Sequence, residues 1–505
     1  MQVKNIVLFG AGKSASVLIR YLKEQAESHH WNFTVADVDI ESAREKLGGN
    51  SAQALALAVS VEDKNERQWL VQKADVVISL LPPALHHLIA GDCLQFKKHL
   101  LTASYVDDQM QSYASEIRKK GLLFLCEAGL DPGIDHMSAM KMIDAIRTKG
   151  GEITSFKSHC GGLVAPESDT NPWHYKITWN PRNVVMAGKN GARFKQGGEE
   201  CLVRYSELFK DNQTLEIPGA GIWSYYPNRD SLTYANLYGL EQADTFIRTT
   251  LRHPEFCCGW KNIIDLKLTD EELYYETDNL SIRAFFRLHF ENNGFGDWLN
   301  EMLLSRLTFA REMMQRLKEL LEAEEQVARQ GVELNEEMML VNDRGELDRV
   351  RIDEVKDKAA ETVAYKMHEA NVTMKQLFFL GVDDESLINK GRMCAADILQ
   401  FILEKKLALQ PGDKDMVLMY HQLEYRLKNR VCKADSVLMI KGEDSPFTAM
   451  AKTVGLPLGI ATKLLLEGTL KQRGLQVPVT PEFYIPILNE LEKHGISFTE
   501  RWTKH

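Results

Sequence analysis

The chain has 505 residues, too many for a single hydrophobic core, so two to four domains are expected. Its 44% apolar and 26% charged content is that of a soluble globular protein, and a net charge of −10 argues against a nucleic-acid groove or an anionic membrane as the main partner. No uninterrupted apolar run reaches the length of a membrane span, and the first residues enter a strand instead of a signal peptide, so the cytoplasm is the expected compartment.

The first predicted strand, Asn5–Phe9, stops at Gly10-x-Gly12-x-x-Ala15, and a helical pattern over Ser14–Glu27 follows. Strand, glycine turn and helix arrive in the order a dinucleotide site requires, the plainer alternative being an ordinary glycine-rich βα turn. Gly10 permits the tight turn, Gly12 admits a pyrophosphate against the backbone, and small Ala15 lets helix and strand pack closely. Lys13, Ser14 and Ala15 open the helix whose free amides would hold the anion. Further strands are predicted at Phe33–Ala36, Ala56–Val61, Asp75–Leu80, His99–Ala103 and Leu122–Cys126. Helices are predicted between them at Ile40–Leu47, Glu62–Gln72, Ala84–Gln95 and Asp107–Lys119. This alternation predicts an α/β fold with a doubly wound parallel sheet. Asp37 ends the second strand, 27 residues after Gly10. A carboxylate there accepts hydrogen bonds from a ribose diol and repels a 2′-phosphate, which favours NAD over NADP without excluding the latter. The plainer alternative is that Asp37 caps the next helix.

Beyond Gly151 the pattern becomes mixed. Strands are predicted at Glu152–His159 and Lys176–Trp179, and turn glycines fall within Arg193–Tyr205. From Ile263 to about Leu409 the chain reads as helical. Leu303, Leu307, Ala310, Met314, Leu317 and Leu321 place a narrow apolar seam on one helix, compatible with a helix hairpin or a dimer contact. Strands follow at Asp415–Tyr420 and Ser436–Lys441. Two late helices, Phe447–Leu456 and Ile460–Leu466, are predicted to break at Pro457 and Gly459. The eight cysteines show no CxxC pair, so they read as reduced thiols, with neither a disulfide framework nor a zinc site.

Four motifs after the nucleotide region carry candidate chemistry. Glu127-Ala-Gly-Leu-Asp131-Pro-Gly-Ile-Asp135-His136 leaves the sixth strand, the edge at which doubly wound sheets bind ligands; Asp131 before Pro132 also suits a helix cap. His159-Cys160-Gly161-Gly162 continues a strand into a glycine–proline loop, although a lone cysteine is more often a buried small residue. Asn171-Pro-x-x-Tyr175-Lys-x-x-Trp179 supplies amide and aromatic groups. Arg229 and Arg252 stand in weakly charged surroundings, and arginine is the preferred fork for a carboxylate.

These motifs, in this order, resemble saccharopine dehydrogenase of the glutamate-forming kind. The matching stretches are Gly10–Ala15, Val77-Ile-Ser-Leu-Leu-Pro82, Ala103-Ser-Tyr105 and Gly129-Leu-Asp-Pro-Gly-Ile-Asp-His136. They continue with Cys160-Gly-Gly-Leu-x-Ala-Pro-Glu167, Asn171–Trp179, Tyr226-Pro-Asn-Arg-Asp-Ser231, Thr250-Leu-Arg252 and the late Ser445–Pro457. Val164, Thr249 and His253-Pro254 depart from the family pattern, and residues 300–380 look longer and more helical than its norm.

The resemblance implies a Rossmann domain over 1–128, a mixed-sheet substrate domain over 129–260 and 410–445, and a helical domain over 261–409. The segment 446–505 would pack back on the first or second of these. It also implies that Tyr105, Asp131, Cys160, Gly161, Trp179, Arg229 and Arg252 surround the substrate, and that Ser79, Leu80, Ser104 and Tyr105 flank the cofactor. The implied activity is NAD(P)-dependent oxidation of saccharopine to glutamate and 2-aminoadipate 6-semialdehyde. Asp131 and His136 are the two candidate general bases, nothing in their spacing selects one, and proton transfer through water alone is the third route. A dehydrogenase of another opine or imine, or a non-catalytic NAD-sensing module, are the alternatives.

Overall fold

Short, almost wholly apolar strands separated by polar-faced helices can only be buried on both faces of a parallel sheet. The computed structural model, which describes residues 3–210, 213–329, 337–341, 347–428 and 430–504, shows such a sheet. Its strands are β1 (Asn5–Phe9), β2 (Asn32–Asp37), β3 (Ala54–Ala58), β4 (Val76–Ser79), β5 (His99–Thr102) and β6 (Leu123–Leu125). They lie in the order β3-β2-β1-β4-β5-β6, all parallel, and Gly474–Gln476 adds a seventh strand beside β6. Ile6, Leu8, Val35 and Ile78 face one apolar cluster, while Val7, Phe9, Val77 and Phe124 face another. The order reverses between β1 and β4, the point at which doubly wound sheets bind ligands.

The second sheet has nine strands. It contains β7 (Glu152–Val164), β8 (Ala192–Gln196), β9 (Glu199–Val203), β10 (Gln213–Ile217), β11 (Gly221–Pro227) and β12 (Thr245–Arg252), with Asp415–Leu427, Arg430–Lys441 and Thr499–Lys504. β7 lies centrally, parallel to β12 and antiparallel to Asp415–Leu427, with Arg248 opposite Ser158 and Thr250 opposite Cys160. The last 60 or so residues thus supply a strand to each sheet.

Two compact units result. Met1–Thr170, His174–Pro254 and Leu407–His505 form the first, which holds both sheets; Asn171–Trp173 and Glu255–Lys406 form the second. The second unit is mainly helical, with Pro254–Asp265, Ile282–Asn292, Trp298–Arg329, Ile352–Leu380 and Ala395–Lys406. Trp298–Arg329 packs on Ile352–Leu380. The predicted seam on the first of these is only partly covered: Ala310 is buried, whereas Leu307 and Met314 are exposed. The side chains of Leu303, Leu317 and Leu321 lie outside the described residues.

Two local expectations are corrected. Lys176–Trp179 forms no strand; Ile177 donates to the Leu407 carbonyl in an isolated bridge, and the segment is too short to extend it. The predicted break at Pro457 is absent, because Ala449–Leu466 is one helix with the proline inside. Its glycines serve packing. A Cβ at Gly455 would lie 2.9 Å from the amide nitrogen of Leu18, and one at Gly459 would lie 2.6 Å from Tyr21 Cδ1. Both contacts are on helix α1 (Ser16–His29), which therefore approaches closely enough to hold the late helix despite the lost hydrogen bond. That late helix is the one described helix with the length and apolarity of a membrane span, and 72% of it is buried inside the fold.

Candidate active site

The glycine turn is built as its residues require. Gly10 has φ +102°, and a Cβ there would lie 2.8 Å from the Leu80 carbonyl, so the turn between β1 and the β4 edge admits only glycine. Around Gly12 a Cβ would meet nothing within 4 Å, which leaves its exposed backbone open to a ligand. Lys13–Ala15 form a single 3₁₀ turn leading into α1, with Ala15 buried. The first amides of such a helix have no partner within it, so the residues present fit a dinucleotide pyrophosphate.

Asp37 sits at the same edge. Its Oδ2 accepts from the Ala11 amide at 2.5 Å and its Oδ1 from the Asp39 amide at 2.9 Å. The capping role belongs to its neighbour, since Asp39 accepts from the Ser42 amide at the start of helix Ile40–Leu47. Lys46 bonds the Ala11 carbonyl and Ser42 Oγ, so one cation stands beside the Asp37 carboxylate. Ser79 is fully buried at the end of β4, Leu80 follows it half-buried, and Ser104 and Tyr105 lie half-buried just beyond β5.

Next to that edge lies a cavity of about 180 Å³ lined by Tyr105, Asn228, Arg229, Asp230, Thr233, Tyr234 and Arg248. Arg229 has φ +51° and holds its guanidinium 4.8 Å from the Tyr105 ring centroid. Arg248 comes from β12, with its side chain only 5% exposed, and its Nη2 donates to Asp131 Oδ1 at 2.5 Å and Asp135 Oδ2 at 2.6 Å. Its guanidinium also lies 4.1 Å from the Tyr234 ring centroid. One arginine therefore balances two carboxylates in a low-dielectric site.

The two carboxylates respond differently. Burial pushes Asp131 up to about 6, and the opposing Arg248 charge only partly offsets this. Burial also raises Asp135, but His136, Arg248 and the backbone amides outweigh it and hold the group below its ordinary value. Asp135 Oδ1 accepts from the Gly133 amide at 2.6 Å. Asp131 does not cap the helix Ile134–Thr148; the cap position is Gly133, without a side-chain acceptor. With 15% of its side chain exposed, Asp131 remains reachable.

His136 is placed otherwise. It is 0% exposed, with Nε2 at 2.8 Å from Glu127 Oε2 and Nδ1 at 2.5 Å from the Tyr238 hydroxyl. It therefore presents no open nitrogen to a ligand. Glu127 also accepts from the Val106 amide at 3.0 Å and the Tyr234 hydroxyl at 3.3 Å, tying the loop after β5 to the cavity wall.

Asp131, His136, Cys160, Gly161, Trp179 and Arg252 stand outside the cavity lining. Cys160 is buried on β7, and burial drives its thiol well above the ordinary range. A Cβ on Gly161 would lie 2.7 Å from the Leu251 carbonyl, so this glycine serves strand packing. Arg252 donates to the Leu251 carbonyl and lies over Tyr175, whose hydroxyl accepts from Trp179 Nε1 at 3.0 Å. Sequence reasoning missed Arg248, Tyr234 and the bridging role of Glu127. The one available signal was an arginine set between Ile247 and Thr249 in an apolar strand.

Comparison with known proteins agrees with this architecture. Residues 6–125 match the saccharopine dehydrogenase NADP binding domain, and residues 129–496 match the saccharopine dehydrogenase C-terminal domain. The chain is 29% identical over 501 residues to the Saccharomyces cerevisiae saccharopine dehydrogenase [NADP(+), L-glutamate-forming], covering 99% of both. It is 32% identical over 475 residues to the Arabidopsis thaliana alpha-aminoadipic semialdehyde synthase, covering 92% of this chain but only 40% of that longer protein. A solved apo structure of the yeast saccharopine dehydrogenase (L-Glu forming) superposes with a TM-score of 0.75 at 26% identity, over 99% of this chain and 100% of that one. The domain description and the fungal name both carry NADP, so the comparisons do not support the NAD preference read from Asp37. A nicotinamide coenzyme is common to both readings. With its two matched domains spanning nearly its whole length, the chain belongs to the saccharopine dehydrogenase family.

Proposed function

We propose that this chain interconverts saccharopine with L-glutamate and 2-aminoadipate 6-semialdehyde, using a nicotinamide coenzyme. The observation that carries the reading is end-to-end correspondence with an enzyme named for that reaction. The arginine-lined cavity beside the nucleotide edge agrees with it. When bound, the coenzyme accepts a hydride at nicotinamide C4. Everything else falls to the chain. Saccharopine carries three carboxylates, and Arg229, at the rim and stacked on Tyr105, supplies a fixed cation for one of them.

Asp131, held near 6, is the group matched to taking a proton from the bridging amine near neutral pH. Arg248 keeps that carboxylate in place, and Asp135 holds the arginine. His136 positions Glu127 and Tyr234 from behind and touches no substrate in this reading.

The test is to mix the purified protein with saccharopine and either NAD or NADP and follow reduced-coenzyme absorbance. Turnover with saccharopine and none with other opines is the expected result; turnover of other imine conjugates alone would overturn it. For the coenzyme, we propose NAD, on the strength of Asp37. Its anchored carboxylate retains lone pairs for a ribose diol and would face a 2′-phosphate. The chain would then differ from the fungal relative named for NADP(+). Wild type should use NAD with the higher kcat/KM, and Asp37→Ser should shift the NAD/NADP ratio toward NADP by about tenfold or more, the loss of one unfavourable charge pair near a surface. A wild-type preference for NADP would overturn the assignment.

A further inference from the structure

The carboxyl ends of β4 and β5 hold a hydrogen-bonded chain that the preceding reading does not use. His86 opens the helix His86–Phe96 and is 5% exposed. Its Nδ1 lies 2.8 Å from Oγ of Ser79, the last residue of β4. Its Nε2 lies 2.6 Å from Oγ of Ser104, two residues beyond β5. Burial pulls the imidazole down to about 4, against a weaker opposing effect of Asp107, so the ring is neutral at pH 7 and carries one N–H. A neutral imidazole donates through one nitrogen and accepts through the other.

Ser79 decides which. Its hydroxyl is wholly buried, and His86 is its partner among the described residues. If Nδ1 carried the proton, the Ser79 hydrogen would be buried without an acceptor, an unfavourable arrangement. The chain therefore runs from Ser79 O–H to Nδ1, and from Nε2–H to Ser104 Oγ. Ser104 accepts from behind and keeps its own O–H to donate. It is half-buried at the sheet edge, directly before Tyr105, which lines the cavity. Asp37 marks the β2 side of the crossing as the adenosine half, which leaves β4 and β5 to the nicotinamide half.

We propose that the Ser79–His86 pair fixes Ser104 as a one-way hydrogen-bond donor to the carboxamide oxygen of the nicotinamide, with Ser79 and His86 as positioning residues. The proposal rests on the nucleotide reading above. It explains why two buried polar side chains are kept behind a single half-exposed hydroxyl. It also places the fixed donor beside the wall where a hydride must be exchanged.

The test compares two ligands by calorimetry on the full chain. One is the reduced coenzyme that wild type binds more tightly; the other is its fragment lacking nicotinamide, ADP-ribose or the 2′-phosphorylated form. Ser79→Ala, which removes a fully buried hydroxyl bonded to His86, should weaken coenzyme binding about three- to tenfold, as expected for one hydrogen bond, and leave the fragment within twofold. In a Ser104→Ala background, Ser79→Ala should add nothing, since the two residues act through one bond. Equal weakening of both ligands, no weakening of either, or additive effects in the double variant would overturn the proposal. If wild type took up neither ligand, the nucleotide reading itself would fall.

Discussion

Replacing Arg248 by methionine is expected to lower the unfolding free energy by about 3–5 kcal/mol, the cost of stranding buried carboxylates by removing their counter-charge. Asp131 and Asp135 both approach one guanidinium nitrogen, and no other arginine or lysine pairs with either among the described residues. Urea unfolding at pH 7 measures the loss. The sign of its pH dependence follows from the same geometry. Without the arginine, Asp131, already raised by burial, ionises later still in the folded chain, whereas His136 and the backbone amides continue to act on Asp135. The protonated form of Asp131 then favours folding, so its contribution to the variant's stability is fully present below about pH 4 and is lost as pH rises through the raised folded value. A triple variant that also carries Asp131→Asn and Asp135→Asn should recover most of the loss, because a neutral, hydrogen-bonding site leaves no charge unbalanced. If Arg248→Met unfolds at the wild-type urea concentration, the pair contributes nothing to the fold and its buried charges must be balanced by solvent.

The same residues show what sequence does and does not disclose. The nucleotide domain is legible because its evidence is local: the apolar run, Gly10, Gly12 and Ala15 lie within a dozen positions, and each is explained by its immediate neighbours. Asp131 was legible for a related reason, since it leaves a strand of that same sheet. Arg248 was not. It reaches Asp131 across 117 positions, through the parallel pairing of β12 with β7, and a strand's pattern does not announce which distant partner its polar residue will find. Arg252, four residues later on the same strand, carried the more suggestive sequence motif, yet it lies over Tyr175 while Arg248 lines the cavity. The late helix failed differently. Pro457 and two nearby glycines signal a break by local rules, but tertiary packing against α1 uses the missing side chains as contact surface.

Asp131→Asn should lower kcat/KM for saccharopine oxidation by about 10²–10⁴-fold, the range that a positioned general base contributes. The substitution keeps the shape and the hydrogen bond to Arg248, and Asp135 still balances the arginine, so folding should survive and the loss be read as chemistry. The pH profile separates the base from a merely structural acid. Amine oxidation needs the ionised carboxylate, so wild-type kcat/KM should fall tenfold per unit below about pH 6, where Asp131 takes up its proton. In the reductive direction the protonated form donates, and the dependence should reverse, with activity falling above that value. The asparagine variant should lose both limbs while keeping its slow residual rate. A variant that kept the wild-type profile would show that the proton leaves by another route, and Tyr234 with Glu127 behind it would then be the group facing the cavity to test next.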